Sequence, residues 1–185
     1  MNRIFATGEG FVVPDGTIVH SLLDAAALGQ DAGEWAEAMS LALGRIPPRT
    51  ASRIHLHPVV TQATWVISGQ LTVVMKDSTV DAPYALDLVA EQAALTLPGT
   101  LFQLVNRSDV ECRVLYIVVP AFVYEVGAGG EVLYNDALVF DLDWDELAAS
   151  GWAAAELHDL DVIRAARRAA KDRLRSPSRT SRPGA

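Results

Sequence analysis

The stretch from residue 39 to residue 119 is a series of short apolar segments, each of which ends at a turn signal. Pro47-Pro48, Pro58, Ser68-Gly69 and Pro98-Gly99 are among the breaks, and proline and glycine interrupt strands for reasons of backbone geometry. The predicted strands run over residues 39–46, 51–57, 61–67, 71–76, 84–89, 93–97, 101–106 and 112–119. Short strands at regular spacing, with no helical period between them, are typical of an antiparallel β-sandwich or small barrel.

Two of the four histidines stand in the segment His55-Leu56-His57. Side chains alternate between the two faces of a strand, so both imidazoles are expected on one face. Gln62 follows the turn at Pro58 and brings an amide oxygen back toward the pair. Imidazole suits zinc, nickel or iron, and an amide oxygen is a weaker, uncharged ligand. The pattern predicts one divalent transition metal held by His55, His57 and Gln62; a hydrogen-bonded core pair and a substrate-binding pair are the alternatives.

The same alternation predicts which neighbouring side chains line the pocket. Arg53 shares the face of His55, and we expect it either to hold an anionic group there or to lie at the rim in solvent. Thr64 shares the face of Gln62, and Leu104 shares the face of Phe102. Arg53, Thr64, Phe102 and Leu104 are therefore the predicted pocket residues. A mostly apolar pocket favours an aromatic or hydrophobic substrate, and the sequence identifies no catalytic residue.

The segments on either side of the predicted barrel, which spans residues 35–135, have a different character. Residues 1–34 form a predicted N-terminal arm with a turn at Pro14-Asp15-Gly16. His20, in this arm, is a surface residue by expectation and a further candidate metal ligand. Residues 136–175 are predicted to be helical, with Asp143 and Asp159 among the possible N-caps. The predicted apolar stripe of the second helix consists of Leu160, Ile163, Ala166, Ala170 and Leu174. Residues 176–185 have almost no apolar side chain and are predicted to be disordered.

The histidine segment and the stretch Leu97–Asn106 together resemble the two motifs of the cupin superfamily. The first motif is His55-x-His57, then Gln62 where cupins usually have glutamate, then Gly69; the second keeps Gly99 and Asn106 in register. Phe102 occupies the position of the second-motif histidine. Arg49 and Glu91 stand where the family has glycines. The resemblance implies a cupin-type antiparallel β-sandwich or small barrel (a jelly roll) with a C-terminal helical extension.

The resemblance also implies a range of functions. First motifs with His-His-Gln are similar to those of some bacterial cyclases of aromatic polyketides, which implies Lewis-acid chemistry, a cyclisation or isomerisation, in secondary metabolism. A metal-dependent dioxygenase is the alternative among enzymes. A cupin that binds a small ligand without catalysis is the alternative of another class. The family commonly forms homodimers, so a homodimer is expected here.

The charge of the chain is distributed unevenly. The formal net charge is −8, but residues 164–185 hold eight basic groups and a single acid, Asp172. The acidic remainder repels nucleic acid phosphates, so we expect no nucleic acid partner and expect the basic segment to lie against the acidic body or a second subunit. No apolar stretch is long enough to span a membrane, and the N-terminal residues lack the apolar segment of a signal peptide, so the predicted location is cytoplasmic with no membrane partner.

Overall fold

The fold is known from a computed structural model, which describes residues 4–23, 35–157 and 159–175. The predicted disordered tail at 176–185 and part of the predicted arm therefore lie outside the described residues. The strands are β1 Phe11–Val12, β2 Ile18–Leu23, β3 Ser40–Ile46, β4 Thr50–Ala51, β5 Ile54–Leu56, β6 Thr61–Ser68, β7 Gln70–Lys76, β8 Tyr84–Val89, β9 Ala93–Thr96, β10 Leu101–Asn106, β11 Cys112–Val119, β12 Tyr124–Val126, β13 Val132–Asn135 and β14 Leu138–Phe140. The helices are α1 Trp35–Ala38, α2 Trp144–Ala149 and α3 Leu160–Arg175, with a 3-10 helix at Ala153–Ala155.

Two antiparallel sheets form the body of the protein. The first has the strand order β1-β2-β3-β11-β6-β9, and the second has the order β14-β5-β10-β7-β8, with β4 also paired to β10. Strands β12 and β13 form a separate two-stranded ribbon. The inward side chains of both sheets meet in one core that includes Val66, Val73, Leu104 and Val114. The predicted all-β antiparallel sandwich is confirmed, and a single helical turn, α1, lies between β2 and β3.

The backbone keeps the turns of the two motifs even where their glycines are absent. Arg49 has φ 56° and Glu91 has φ 71°, so both occupy the left-handed region at the positions where cupins have glycine. Gly99, which the second motif retains, has φ +82°. A side chain in the left-handed region is strained relative to glycine. The turn geometry is therefore imposed by the pairing of the strands on either side rather than by the residue at the turn.

The body extends beyond the predicted limits of 35 and 135 in both directions. Strand β2 pairs with β3, placing Val19 opposite Gly44, so the predicted arm is part of the first sheet. Strand β14 pairs with β5, placing Val139 opposite His55, so the prediction that residues 136–175 are helical is wrong for this strand. Both of these strands are short. Each pairs with a strand that is distant in sequence or separated from it by a loop, and local sequence patterns do not reveal such pairings.

Asp143 and Asp159, both among the predicted N-caps, stand at the starts of the two C-terminal α-helices. Asp143 caps α2 in a capping box with Glu146, and the Asp159 carboxylate accepts hydrogen bonds from the first backbone amides of α3. The predicted apolar stripe of α3 is only partly buried: Ala170 is buried but Ala166 and Leu174 are exposed.

Ion pairs to the acidic body attach α3 instead. The Arg167 Nε atom lies 2.9 Å from the fully buried carboxylate of Asp136, and Arg173 makes two hydrogen bonds to Glu125. Lys171 and Arg175 both pair with Glu37. The described part of the basic segment thus lies against the acidic body, as predicted from the charge distribution.

Candidate functional site

A cavity of about 250 Å³ lies between the two sheets and is closed on one side by the N-terminal arm. Its walls are mainly apolar, with Val19, Leu41, Leu104, Val118 and Phe122 among them. Its polar lining includes Asp15, His55, His57, Gln62 and Tyr116. The structure thus brings together the three predicted metal ligands and one predicted pocket residue, Leu104.

His55 is held in one orientation by the backbone. Its Nδ1 atom lies 2.9 Å from the carbonyl oxygen of Arg53, and because a carbonyl only accepts, Nδ1 carries the proton. The Nε2 atom then faces the Asp15 Oδ2 atom at 3.5 Å. Burial lowers the pKa of His55, against the opposing effects of Asp15 and the Arg53 carbonyl.

Asp15 is a buried carboxylate that the arm delivers into the cavity. It accepts hydrogen bonds from the Thr17 amide at 3.0 Å and from the Thr17 hydroxyl at 2.8 Å. This arrangement follows from the Pro14-Asp15-Gly16 turn, in which an aspartate bonds the backbone two residues on. Asp15 is the only acidic side chain among the residues that line the cavity in the described part of the chain.

His57 is buried among aromatic rings. Its ring centroid lies 5.4 Å from that of Phe122 and 5.2 Å from that of Phe102, and its Nδ1 atom has no hydrogen-bond partner. Burial, and after it the charge of His55, hold the pKa of His57 well below its usual value. His57 is therefore neutral at pH 7.

Gln62 and Thr64 make a polar pair on β6. The Gln62 amide nitrogen donates to the Thr64 hydroxyl at 3.1 Å, which leaves the amide oxygen of Gln62 as an acceptor. Both residues are buried, but only Gln62 lines the cavity. Thr64 therefore affects the cavity by orienting the Gln62 amide.

Phe102 packs against both histidines and does not line the cavity. It is fully buried, and its centroid is 4.0 Å from that of His55. Strand β10 places Phe102 directly opposite His55 in the ladder. The ring therefore lies against the two imidazoles where the family would place a third one.

Arg53 and His20 lie away from the cavity. Arg53 precedes β5, its side chain is 56% exposed, and it pairs with Asp141 at 2.8 Å. Strand alternation does not extend to Arg53 because the strand begins at Ile54. His20 lies on the arm, with Nδ1 3.2 Å from the Gly8 carbonyl oxygen. Of the two predictions for Arg53, the rim position is the one that the structure shows.

A metal ion at the predicted site would be held by two imidazoles and the Gln62 amide. In the described ranges, no group of three or more His, Cys, Asp or Glu side chains is placed to hold a metal ion. The His55 and His57 ring centroids are 5.6 Å apart and tilted by 49°, and Phe102 contacts both rings. Metal binding at His55, His57 and Gln62 stays a prediction.

Asp15 and Tyr116 are among the cavity residues that sequence patterns did not predict. A signal for Tyr116 exists in Gly44, a glycine in the middle of β3, because glycine within a strand often marks a close approach. A Cβ atom at Gly44 would lie 2.4 Å from the Tyr116 ring. Burial, and after it Asp15, raise the pKa of Tyr116, so its phenol stays protonated. No comparable signal marks Asp15, which belongs to an ordinary turn sequence.

The comparisons with known proteins support the fold and nothing finer. KdgF from Halomonas sp. is 12% identical with a TM-score of 0.50, covering 65% of this chain and 94% of that one. The capsular polysaccharide assembling protein CapF from Staphylococcus aureus is 10% identical with a TM-score of 0.52, covering 76% of this chain and 33% of that one. The Drosophila melanogaster CENP-C cupin domain has a TM-score of 0.47 at 15% identity over 62% of this chain and 70% of that one. No protein-family model matches the sequence, and none of the curated proteins matches it.

The buried histidines predict a loss of stability in mild acid. The pKa of His57 is lower in the folded chain than its ordinary value of 6.5, so below pH 6.5 the unfolded chain binds a proton that the folded chain does not. In metal-free protein, stability is expected to fall between pH 6.5 and pH 5, by up to about 1.4 kcal/mol per pH unit for one such group. Urea unfolding at several pH values measures this slope.

Two variants test whether His57 causes this pH dependence of the unfolding free energy. His57→Gln is expected to reduce it, whereas His20→Gln, which changes a histidine outside the cavity, is expected to leave it intact. An unchanged slope in His57→Gln would contradict the neutral, buried state of His57.

Proposed function

We propose that this protein binds a small, largely apolar molecule in the cavity between its sheets. The observation that carries the proposal is the cavity itself, with apolar walls and a few polar side chains gathered in it. Ligand sites are typically of this composition, in which apolar walls supply most of the affinity and a few polar groups set orientation. The cupin-type fold is consistent with such a role, either as a binding protein or as an enzyme.

A neighbouring groove offers a route into the cavity. The groove has a volume of about 460 Å³ and shares Pro14, Asn135, Ala137 and Val139 with the cavity lining. These residues belong to the arm and to the segment from β13 to β14. A ligand would enter between the turn of the arm and this segment.

Filling the cavity should abolish binding. Ala42 lines the cavity, whereas Ala63 lies on the opposite, outer face of the same sheet. With the uncharged probe N-phenyl-1-naphthylamine, whose fluorescence rises in apolar surroundings, Ala42→Phe is expected to weaken binding at least about tenfold, about 1.4 kcal/mol. Ala63→Phe, the matched control, is expected to bind normally. Absence of probe binding by the unmodified protein, or equal binding by both variants, would overturn the proposal.

Metal-assisted Lewis-acid chemistry on the bound molecule is a second candidate function. One observation favours it: the His55 Nε2 and Asp15 Oδ2 atoms are 3.5 Å apart. Two ligand atoms of a tetrahedral zinc ion are separated by a similar distance, about 3.4 Å. A divalent ion there would polarise a carbonyl or phenolate oxygen of the substrate. The predicted cyclisation or isomerisation depends on this ion, and so does the dioxygenase alternative.

Metal loading tests this candidate directly. Chelator-stripped protein is expected to bind about one equivalent of zinc, nickel or iron(II), measured by plasma mass spectrometry, with a raised melting temperature. His55→Ala and Asp15→Asn are expected to reduce the bound metal, and His20→Ala is the control that leaves it unchanged. Negligible bound metal for every ion, with no change in melting temperature, would overturn the metal proposal and leave the ligand-binding proposal standing.

We also propose that the protein forms homodimers through the outer face of its first sheet. Leu43, Leu115 and Trp65 are neighbours across three strands of that face, and Trp65 is 40% exposed. Leu95, on the edge strand β9, is 60% exposed. A continuous apolar sheet face of this kind is typical of an interface.

Light scattering at micromolar concentration is expected to give the mass of a dimer. Leu95→Lys, which places a charge on the apolar face, should shift the protein toward the monomer. Val162→Lys makes the same kind of change on the exposed surface of α3 and should leave the dimer intact. A monomeric mass for the unmodified protein would contradict the homodimer.

A further inference from the structure

Two polar atoms of the cavity residues are buried without a hydrogen-bond partner in the described structure: the Tyr116 hydroxyl and the Nδ1 atom of His57. Leaving a buried donor or acceptor unpaired is unfavourable. The Thr17 hydroxyl lies near Tyr116 and slightly opposes the rise of its pKa, but it makes no hydrogen bond of normal geometry to it. Both side chains line the same cavity. An occupant of the cavity is therefore the natural source of the missing partners.

The fold makes room for Tyr116 at this place. Gly44 is buried in the middle of β3, and any Cβ there would lie 2.4 Å from the Tyr116 ring and 2.7 Å from its oxygen. Phenylalanine would fill the same space without an unpaired oxygen. The hydroxyl is thus not explained by packing.

Two further polar groups of the cavity, Asp15 and Gln62, present hydrogen-bond acceptors. Asp15 is a carboxylate, and Gln62 directs its amide nitrogen to Thr64, which leaves its oxygen. No lysine or arginine lines the cavity in the part of the chain that the structure describes. An anionic ligand would meet the Asp15 charge with no lysine or arginine to balance it, and a ligand that only accepts hydrogen bonds could not pair with the amide oxygen of Gln62.

We propose that the cavity takes an uncharged, largely apolar molecule that carries a hydroxyl group, and that Tyr116 and His57 recognise this hydroxyl. This inference rests on the proposed binding function and names the class of ligand. A hydroxyl both donates and accepts, so it pairs with an imidazole nitrogen and a phenol at once. Both atoms are closed off from solvent, so side chains of the cavity lining must move to admit the hydroxyl.

A matched series of naphthalenes tests the recognition by isothermal titration calorimetry at pH 7.5. 2-Naphthol is expected to bind at least about tenfold more tightly than 2-methylnaphthalene, which has the same shape and no hydroxyl. 2-Acetylnaphthalene, which only accepts, should bind more weakly than 2-naphthol, and the anion 2-naphthoate should bind least. This series uses the unmodified protein, so it does not depend on the folding of a variant.

Tyr116→Phe assigns the preference to one oxygen. The variant is expected to bind 2-naphthol and 2-methylnaphthalene about equally, with the affinity for 2-methylnaphthalene unchanged. Its melting temperature should be unchanged or higher, since it removes an unpaired buried hydroxyl. Tyr134→Phe is the matched control: Tyr134 donates to Asp136 and does not line the cavity, so the variant should keep the preference and lose stability.

The outcomes separate the two proposals. If none of the four naphthalenes binds and the fluorescent probe also fails, the binding function is overturned. If the naphthalenes bind without preference for the hydroxyl, or 2-acetylnaphthalene matches 2-naphthol, the binding function stands and the hydroxyl class is overturned. If the preference survives Tyr116→Phe, recognition by Tyr116 is overturned.

Discussion

The register between β5 and β10 decides which side chains the cavity receives. Phe102 stands opposite His55, and Leu101 stands opposite Leu56. A shift of one residue would exchange the two faces of either strand: the histidines would enter the small core of Ile54, Leu56 and Leu147 under α2, and leucines would enter the cavity. The chemistry of the site thus depends on backbone hydrogen bonds far more than on any contact between its side chains. Phe102 helps to hold that register, because it packs on both imidazoles.

Much of the fold follows from local sequence, and the site follows only in part. Turn residues and apolar alternation indicated the main strands, and the spacing of His55, His57 and Gln62 was enough to place them at one cavity. The position of Arg53 was left open because alternation holds only inside a strand, and β5 begins one residue later. Asp15 and Tyr116 were missed because they reach the cavity through pairings, of β2 with β3 and of β3 with β11, that no local pattern contains.

The cavity and the outer surface of the protein differ in how many charged side chains they hold. Inside the cavity, charge is scarce: Asp15 faces His55, and His57 is neutral. On the outside, ion pairs replace apolar packing in attaching α3, where Arg167 reaches the buried Asp136 while Arg173 and Lys171 remain partly in water. Exposed pairs contribute little and weaken with salt, so the buried pair of Arg167 and Asp136 is the main electrostatic anchor of the helix.

The pairing of the arm with β3 also has a consequence for the order in which the walls of the cavity become available during synthesis. During synthesis the arm leaves the ribosome well before β11, the strand on which β3 depends for its other edge and which carries Tyr116. At about 5–20 residues per second, several seconds separate the synthesis of the arm from that of β11. The segment that closes one side of the cavity is thus made before the strand that carries Tyr116, and the cavity can form only after β11 has joined the sheet.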